Sequence, residues 1–193
     1  MASDLYRSTL PKQDLDSPDE RISGALQEAT RRTGMVPNMY AFMVNAPELL
    51  ETYLYGYEKF RKESGFSPAE QEVVFLVISY ENGCDYCMAA HSTIADTQSR
   101  LAPEVTDALR SGKPLPDAKL DALAVFTRTM FSKRGRPSQE DVSAFLKAGY
   151  SEKQVLDVIL ALATKTLSNY SNHIFGTPLD TVFQARVWEP ARV

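Results

Sequence analysis

Ser67-Pro68-Ala69-Glu70 stands just ahead of a continuous apolar run, Val73-Val74-Phe75-Leu76-Val77-Ile78. That pairing constrains the fold more than any other feature of the chain. Alone, the run reads as a buried strand, because it is β-branched and unbroken. The residues before it decide for a helix. Ser67 offers an N-cap hydroxyl, Pro68 suits the first helical position, and Glu70 completes a capping box. No turn residue follows until Gly83. A helix that is apolar all round must be enclosed by other elements, so the rest of the chain is expected to pack around this one.

Similar signals recur. Ser17-Pro18-Asp19-Glu20, Ser138 with Asp141, Ser151-Glu152-Lys153-Gln154 and Thr177-Pro178-Leu179-Asp180 each predict a helix start. Pro47 to about Ser64, Pro103 to Arg110 and Asp117 to Lys133 place apolar residues three and four apart, as Leu120, Leu123, Ala124, Thr127 and Met130 show. No stretch alternates as a half-buried strand does. Gly112-Lys113-Pro114 and Arg134-Gly135-Arg136-Pro137 read as connectors between helices. The expectation is an all-α single domain over residues 1–193, with 1–16 an N-terminal extension and a core of about 30–180.

A chain of 193 residues can enclose one sizeable core. Its net charge of -4, without a basic run, argues against a nucleic-acid partner. Met1 to Leu15 contains no apolar stretch of signal-peptide length, and no segment is apolar enough to span a bilayer. The expected location is therefore the cytoplasm, where a structural disulfide is disfavoured.

That makes the two cysteines the feature to explain, because they are only three residues apart. Residues 81 to 91 read Glu-Asn-Gly-Cys-Asp-Tyr-Cys-Met-Ala-Ala-His. Gly83 can end the apolar helix in a left-handed cap, and Cys84 or Asp85 then begins the next. On that helix Cys84, Cys87 and His91 share a face. A helix N-terminus and a neighbouring imidazole both favour a thiolate, and a second thiol can condense with a sulfenic acid to close a disulfide. Glu72 joins the candidate site if the two helices run antiparallel. It lies about 16 Å back along the first and His91 about 11 Å along the second, a mismatch that two side chains and a water can span. A carboxylate among Val73, Val74 and Phe75 needs a partner, because burying it alone costs several kcal/mol. Glu81 is nearer in sequence but stands at a helix end open to solvent.

Glu81-x-x-Cys84-x-x-Cys87-x-x-x-His91 resembles the signature of the alkylhydroperoxidase D-like group of the carboxymuconolactone decarboxylase superfamily. Val36-Pro37-Asn38, Asn45-Ala46-Pro47-Glu48 and Asn169-Tyr170-Ser171-Asn172 resemble its flanking helical segments, so the likeness covers roughly residues 30 to 180. The resemblance implies an all-helical homo-oligomer, trimer or hexamer, that reduces small hydroperoxides without cofactor or metal. A dithiol donor, a lipoyl or thioredoxin-like protein, would return it to the dithiol. In that scheme Cys87 attacks, Cys84 resolves, and Glu72 and His91 relay protons. Tyr86 stands where the best-studied type has histidine. It can donate a hydrogen bond, but a phenol is a poor relay at neutral pH.

Other readings stand beside this one. The cysteines can be plain core residues, or the protein a decarboxylase-like enzyme or a redox-sensing module without catalysis. Zinc would take both thiolates and His91 and want a fourth ligand, with His173 the one remaining histidine. The Tyr53, Tyr55, Tyr57 run and Trp188 read as cover for apolar surface or an interface, and Lys59 to Glu63 as a solvated face. Two arguments compete over which sulfur attacks. The helix terminus favours Cys84 by roughly 0.3–1 kcal/mol. A charge-assisted hydrogen bond to His91, worth about 1.5–3 kcal/mol, favours Cys87. The expectation is Cys87 as nucleophile, with Cys84 the resolving thiol and the first contact for the reductant.

Overall fold

The capping box at Ser67 forms as the sequence predicts. Its hydroxyl accepts from the Glu70 amide, the Glu70 carboxylate accepts from the Ser67 amide, and a helix runs over Pro68–Glu81. In the computed structural model, which describes residues 5–189, the helices in chain order are α1 (Glu20–Thr33), α2 (Asn38–Met43), α3 (Pro47–Glu63), α4 (Pro68–Glu81), α5 (Asp85–Ile94), α6 (Pro103–Arg110), α7 (Ala118–Ser132), α8 (Gln139–Lys147) and α9 (Glu152–Phe175). A π-helical turn over Ala95–Ser99 extends α5, and a short 3-10 helix covers Thr181–Arg186. No strand occurs among the described residues, and the fold is all-α. None of these helices is long and apolar enough to cross a membrane. Residues 1–4 of the expected N-terminal extension lie outside the described residues. From Ser8 to Gln13 the extension runs without helix, its amides bonded to the carbonyls of Ile174 and Ala41.

Helix α4 is the axle. Every residue from Glu70 to Ser79 is buried, and α5, α6, α7 and α9 pack around it. Two apolar clusters form the core, with Tyr57 of α3 packed against both. One joins α4 to α6, α7 and α8 through Phe75, Leu109, Leu123, Phe126 and Phe145, and the other joins α1, α2 and α3 to α5 through Leu26, Met43, Leu50, Tyr53 and Cys87. Gly56 lets α3 and α9 approach closely, since a Cβ there would fall 2.8 Å from Thr164 Oγ1. At the end of α4, Gly83 takes φ 64° and turns the chain directly into α5.

Two predicted helix starts are displaced. Helix α1 begins at Glu20 with Asp19, not Ser17, as cap, because the Asp19 carboxylate takes the Arg21 and Ile22 amides. Thr177 opens no helix. The chain stays irregular to Asp180, whose carboxylate is committed to Tyr86 and the Asn38 amide, and only then turns into the 3-10 helix.

On α9 the outward stripe is apolar: Leu156, Ile159, Tyr170 and Ile174 are all exposed, with Ala163 and Thr166 between them. The homo-oligomer expected from the sequence would cover this face. Ile159→Glu should then lower the sedimenting mass at micromolar concentration while leaving the helical circular dichroism intact. An unchanged mass would place any assembly surface elsewhere.

Candidate active site

The turn at Gly83 folds α5 back on α4 and brings Glu72 directly onto His91, with no water needed: Glu72 Oε2 lies 2.8 Å from His91 Nδ1. Both side chains are buried, Glu72 completely. The other carboxylate oxygen makes an ion-pair contact of 2.5 Å with Arg61 Nη2, outside hydrogen-bond alignment. Arg61 in turn donates to Tyr57 Oη at 2.7 Å and lies over the rings of Tyr57 and Phe75. Burial alone would raise the Glu72 carboxyl, but His91 and Arg61 outweigh it and hold the group below the usual carboxylate range. Burial, joined by the cation of Lys165, pushes the His91 imidazole down to about 4 against the pull of Glu72. The pair is thus a carboxylate and a neutral imidazole. A carboxylate only accepts, so Nδ1 carries the proton and Nε2 keeps its lone pair.

The thiols are free, and lie 3.2 Å apart. Cys84 is the N-cap of α5, yet burial and then the neighbouring Cys87 push its thiol well up. Cys87 moves the other way. Burial opposes its ionisation but is outweighed by the hydrogen bond from Cys84, the charge of Lys165 and the side-chain amides of Asn172 and Asn169. Those amides donate to Cys87 Sγ from 3.2 and 2.9 Å. Asn169 is itself oriented by Asn82, which donates to its carbonyl oxygen at 2.8 Å. Lys165, Asn169 and Asn172 recur four and three residues apart on α9, so one helix face points a cation and two amides at the dithiol.

A cavity of about 800 Å³ opens beside this cluster, and Cys87, His91, Arg61 and Lys165 all border it. Tyr40, Tyr53, Tyr57, Met39 and Phe183 supply an apolar wall. Cys84 does not reach the cavity and is fully buried.

A model of the carboxymuconolactone decarboxylase family matches residues 47–128, the span holding Arg61, Glu72, both cysteines and His91. Over those residues the chain is similar to the carboxymuconolactone decarboxylase family. Its fold is AhpD-like. The core of alkylhydroperoxidase AhpD, an uncharacterized peroxidase-related protein from Ralstonia eutropha JMP134, superposes with a TM-score of 0.78 at 21% identity over 93% of this chain and 97% of its own. An uncharacterized peroxidase-related protein from Silicibacter sp. TM1040 gives 0.75 at 22% identity over 95% and 96%. The debrominase Bmp8, solved as a cysteine-to-alanine variant with 2,3,4-tribromopyrrole, gives 0.73 at 15% over 93% and 96%. No curated protein matches.

Several expectations need revising. His91 makes no hydrogen bond to Cys87: its Nδ1 is bonded to Glu72, and the sulfur is served from α9 instead. Glu81 stands apart from the cluster, its Oε1 accepting from Arg128 Nε at 2.7 Å. Tyr86 borders the cavity with Cys87, but its hydroxyl is committed to Asp180, and burial and that carboxylate raise it far out of a relay's range. Cys84 is an unsuitable first contact for a reductant, because nothing exposes it. His173, the candidate fourth zinc ligand, stacks on Tyr170 at 6.2 Å, and no group of three or more His, Cys, Asp or Glu among the described residues is arranged to hold a metal. Within the stretch Lys59 to Glu63, Phe60 is fully buried and Arg61 turns inward to Glu72, while Lys62 and Glu63 are exposed. The tyrosines divide: Tyr53 and Tyr57 line the cavity and Tyr55 is exposed. Trp188 packs against Tyr80 with the rings tilted by 58° and donates to the Arg110 carbonyl.

The buried imidazole sets a pH dependence. The unfolded chain takes up a proton near the ordinary value of 6.5, whereas folded His91 resists until about 4. A depressed pKa means that stability present above 6.5 is lost as pH falls through that window, by up to about 3 kcal/mol. His91→Gln should flatten the fall of Tm with pH between those values. A variant whose Tm falls as steeply as the parent's would show that His91 is not held neutral.

Proposed function

We propose that this protein is a thiol-dependent peroxidase that reduces small hydroperoxides through a cycle between the Cys84–Cys87 dithiol and its disulfide. One observation carries the reading: Cys87 is the sulfur on the cavity wall, favoured as thiolate, and a second thiol lies 3.2 Å behind it. The thiolate attacks the peroxide and becomes a sulfenic acid. Cys84 then displaces water to form the disulfide. The raised Cys84 thiol needs a base for that step, and the neutral His91 ring, held by Glu72, has the Nε2 lone pair to serve. A dithiol donor entering through the cavity restores both thiols by exchange at Cys87, and no metal or cofactor takes part.

The test is a single turnover. Cys87→Ser should consume no peroxide. Cys84→Ser should consume one equivalent and stop as a sulfenic acid on Cys87, which a dimedone adduct would reveal by mass. The wild type should lose two hydrogens in mass and both free thiols. If Cys87→Ser consumes one equivalent and Cys84→Ser none, the roles are reversed.

A second reading has one specific support, the likeness to a debrominase solved with a brominated pyrrole. The same dithiol could reduce a carbon–bromine bond, with bromide leaving, in a cavity large enough for a substituted ring. Bromide release from a bromopyrrole, together with no thiol loss on exposure to hydroperoxide, would favour it.

A further inference from the structure

Lys165 is a buried cation with unspent donors. It lies in the middle of α9 with no exposed surface, and its Nζ has no hydrogen-bond partner among the described residues. Its described neighbour is the Phe75 ring, whose face it meets at 5.4 Å. An isolated buried ammonium costs several kcal/mol, so a lysine held this way has a reason to be there. Two placements supply one. Lys165 borders the cavity together with Cys87, and it lies one and two turns before Asn169 and Asn172, whose amides bond the Cys87 sulfur.

The peroxidase reading leaves one proton unassigned. When the thiolate attacks the outer oxygen of a hydroperoxide, a sulfur–oxygen bond forms and the oxygen–oxygen bond breaks. Sulfur loses two electrons, the peroxide gains them, and the leaving alkoxide must be protonated. His91 cannot do this in its resting state: it is neutral, and its one N–H is committed to Glu72. Tyr86 is committed to Asp180, and the Arg61 guanidinium to Glu72, Tyr57 and Gln71. Arginine also does not surrender a proton in proteins.

We propose that Lys165 is a catalytic residue, the acid that protonates the oxygen leaving from the peroxide. The proposal rests on the peroxidase reading and adds an assignment to it. In the resting site Lys165 and Cys87 border the same cavity. As negative charge moves from sulfur to the departing oxygen, the same cation follows it and gives up a proton. The products are a sulfenic acid on Cys87, the free alcohol and a neutral lysine, which water in the cavity reprotonates.

The test compares two leaving groups in single-turnover thiol loss. Cumene hydroperoxide expels an alkoxide that needs a proton, whereas peracetic acid expels acetate, which does not. Lys165→Met keeps the length of the side chain, and replacing a buried charge with an apolar group is often tolerated. It should slow the cumene hydroperoxide reaction on the order of 100-fold, the usual scale of general-acid catalysis, and the peracetic acid reaction far less. Lys165→Arg keeps the charge without a transferable proton and should show the same selectivity, with any loss of thiolate restored. Equal slowing of both reactions in Lys165→Met, or Lys165→Arg as fast as wild type on cumene hydroperoxide, would overturn the acid role. If Lys165→Met fails to fold, the Arg variant decides alone. A wild-type protein inert to both peroxides would overturn the peroxidase reading and this step with it, an outcome separable from a wild type that reacts and variants that show no selectivity.

Discussion

A carboxylate buried in the most apolar helix of the chain is the constraint from which the site is built. Glu72 has no exposure at all, and removing one partner from such a buried ionic group typically costs about 3–5 kcal/mol. Three elements are tied together to satisfy it. Helix α4 carries the carboxylate, α3 brings Arg61, and the turn at Gly83 brings His91 on α5. Once α5 is fixed in that register, Cys84 and Cys87 are fixed with it, because they share its first turn. Helix α9 then closes the far side with Lys165, Asn169 and Asn172. The dithiol is thereby placed between a neutral base on its own helix and a cation with two amides on another.

This division of labour explains why the two cysteines differ. At the N-terminus of a helix the first cysteine is ordinarily the activated one. Here that advantage is small against desolvation, since Cys84 is walled off while Cys87 receives hydrogen bonds from three side chains. The asymmetry comes from the hydrogen bond between the two sulfurs together with the cation and amides of α9, and not from the helix terminus.

The fold was largely legible because its signals are local. Ser67, Ser138 and Ser151 cap the helices they announce, each with its capping box complete, and Pro47, Pro103 and Asp117 mark theirs within a residue. Ser17 and Thr177 misled because a nearby aspartate competed for the same amides or was drawn away by a distant partner, Tyr86 in the case of Asp180. In the site, the spacing of Cys84, Cys87 and His91 and the oddity of Glu72 among valines were enough to bring those four together. Arg61 and Lys165 went unnoticed although a signal existed. Arg61 continues the inward series Leu50, Leu54, Tyr57, and Lys165 continues Val158 and Ala161, so each is a cation on a buried helix face. The Asn169 and Asn172 amides carried no such mark, since polar residues at that phase acquire meaning only when the sulfur they face is known.

The account's central claim is that packing, not the helix terminus, selects Cys87 as the thiolate. The most direct measurement follows the Cβ carbon chemical shifts of both cysteines by NMR in the reduced protein as pH is raised. Each shift reports its own sulfur without requiring reagent access. Cys87 should titrate below the ordinary thiol range, and Cys84 should stay protonated throughout that titration. If Cys84 titrates first, or both titrate together at the usual thiol value, the α9 face does not control the dithiol and the account fails.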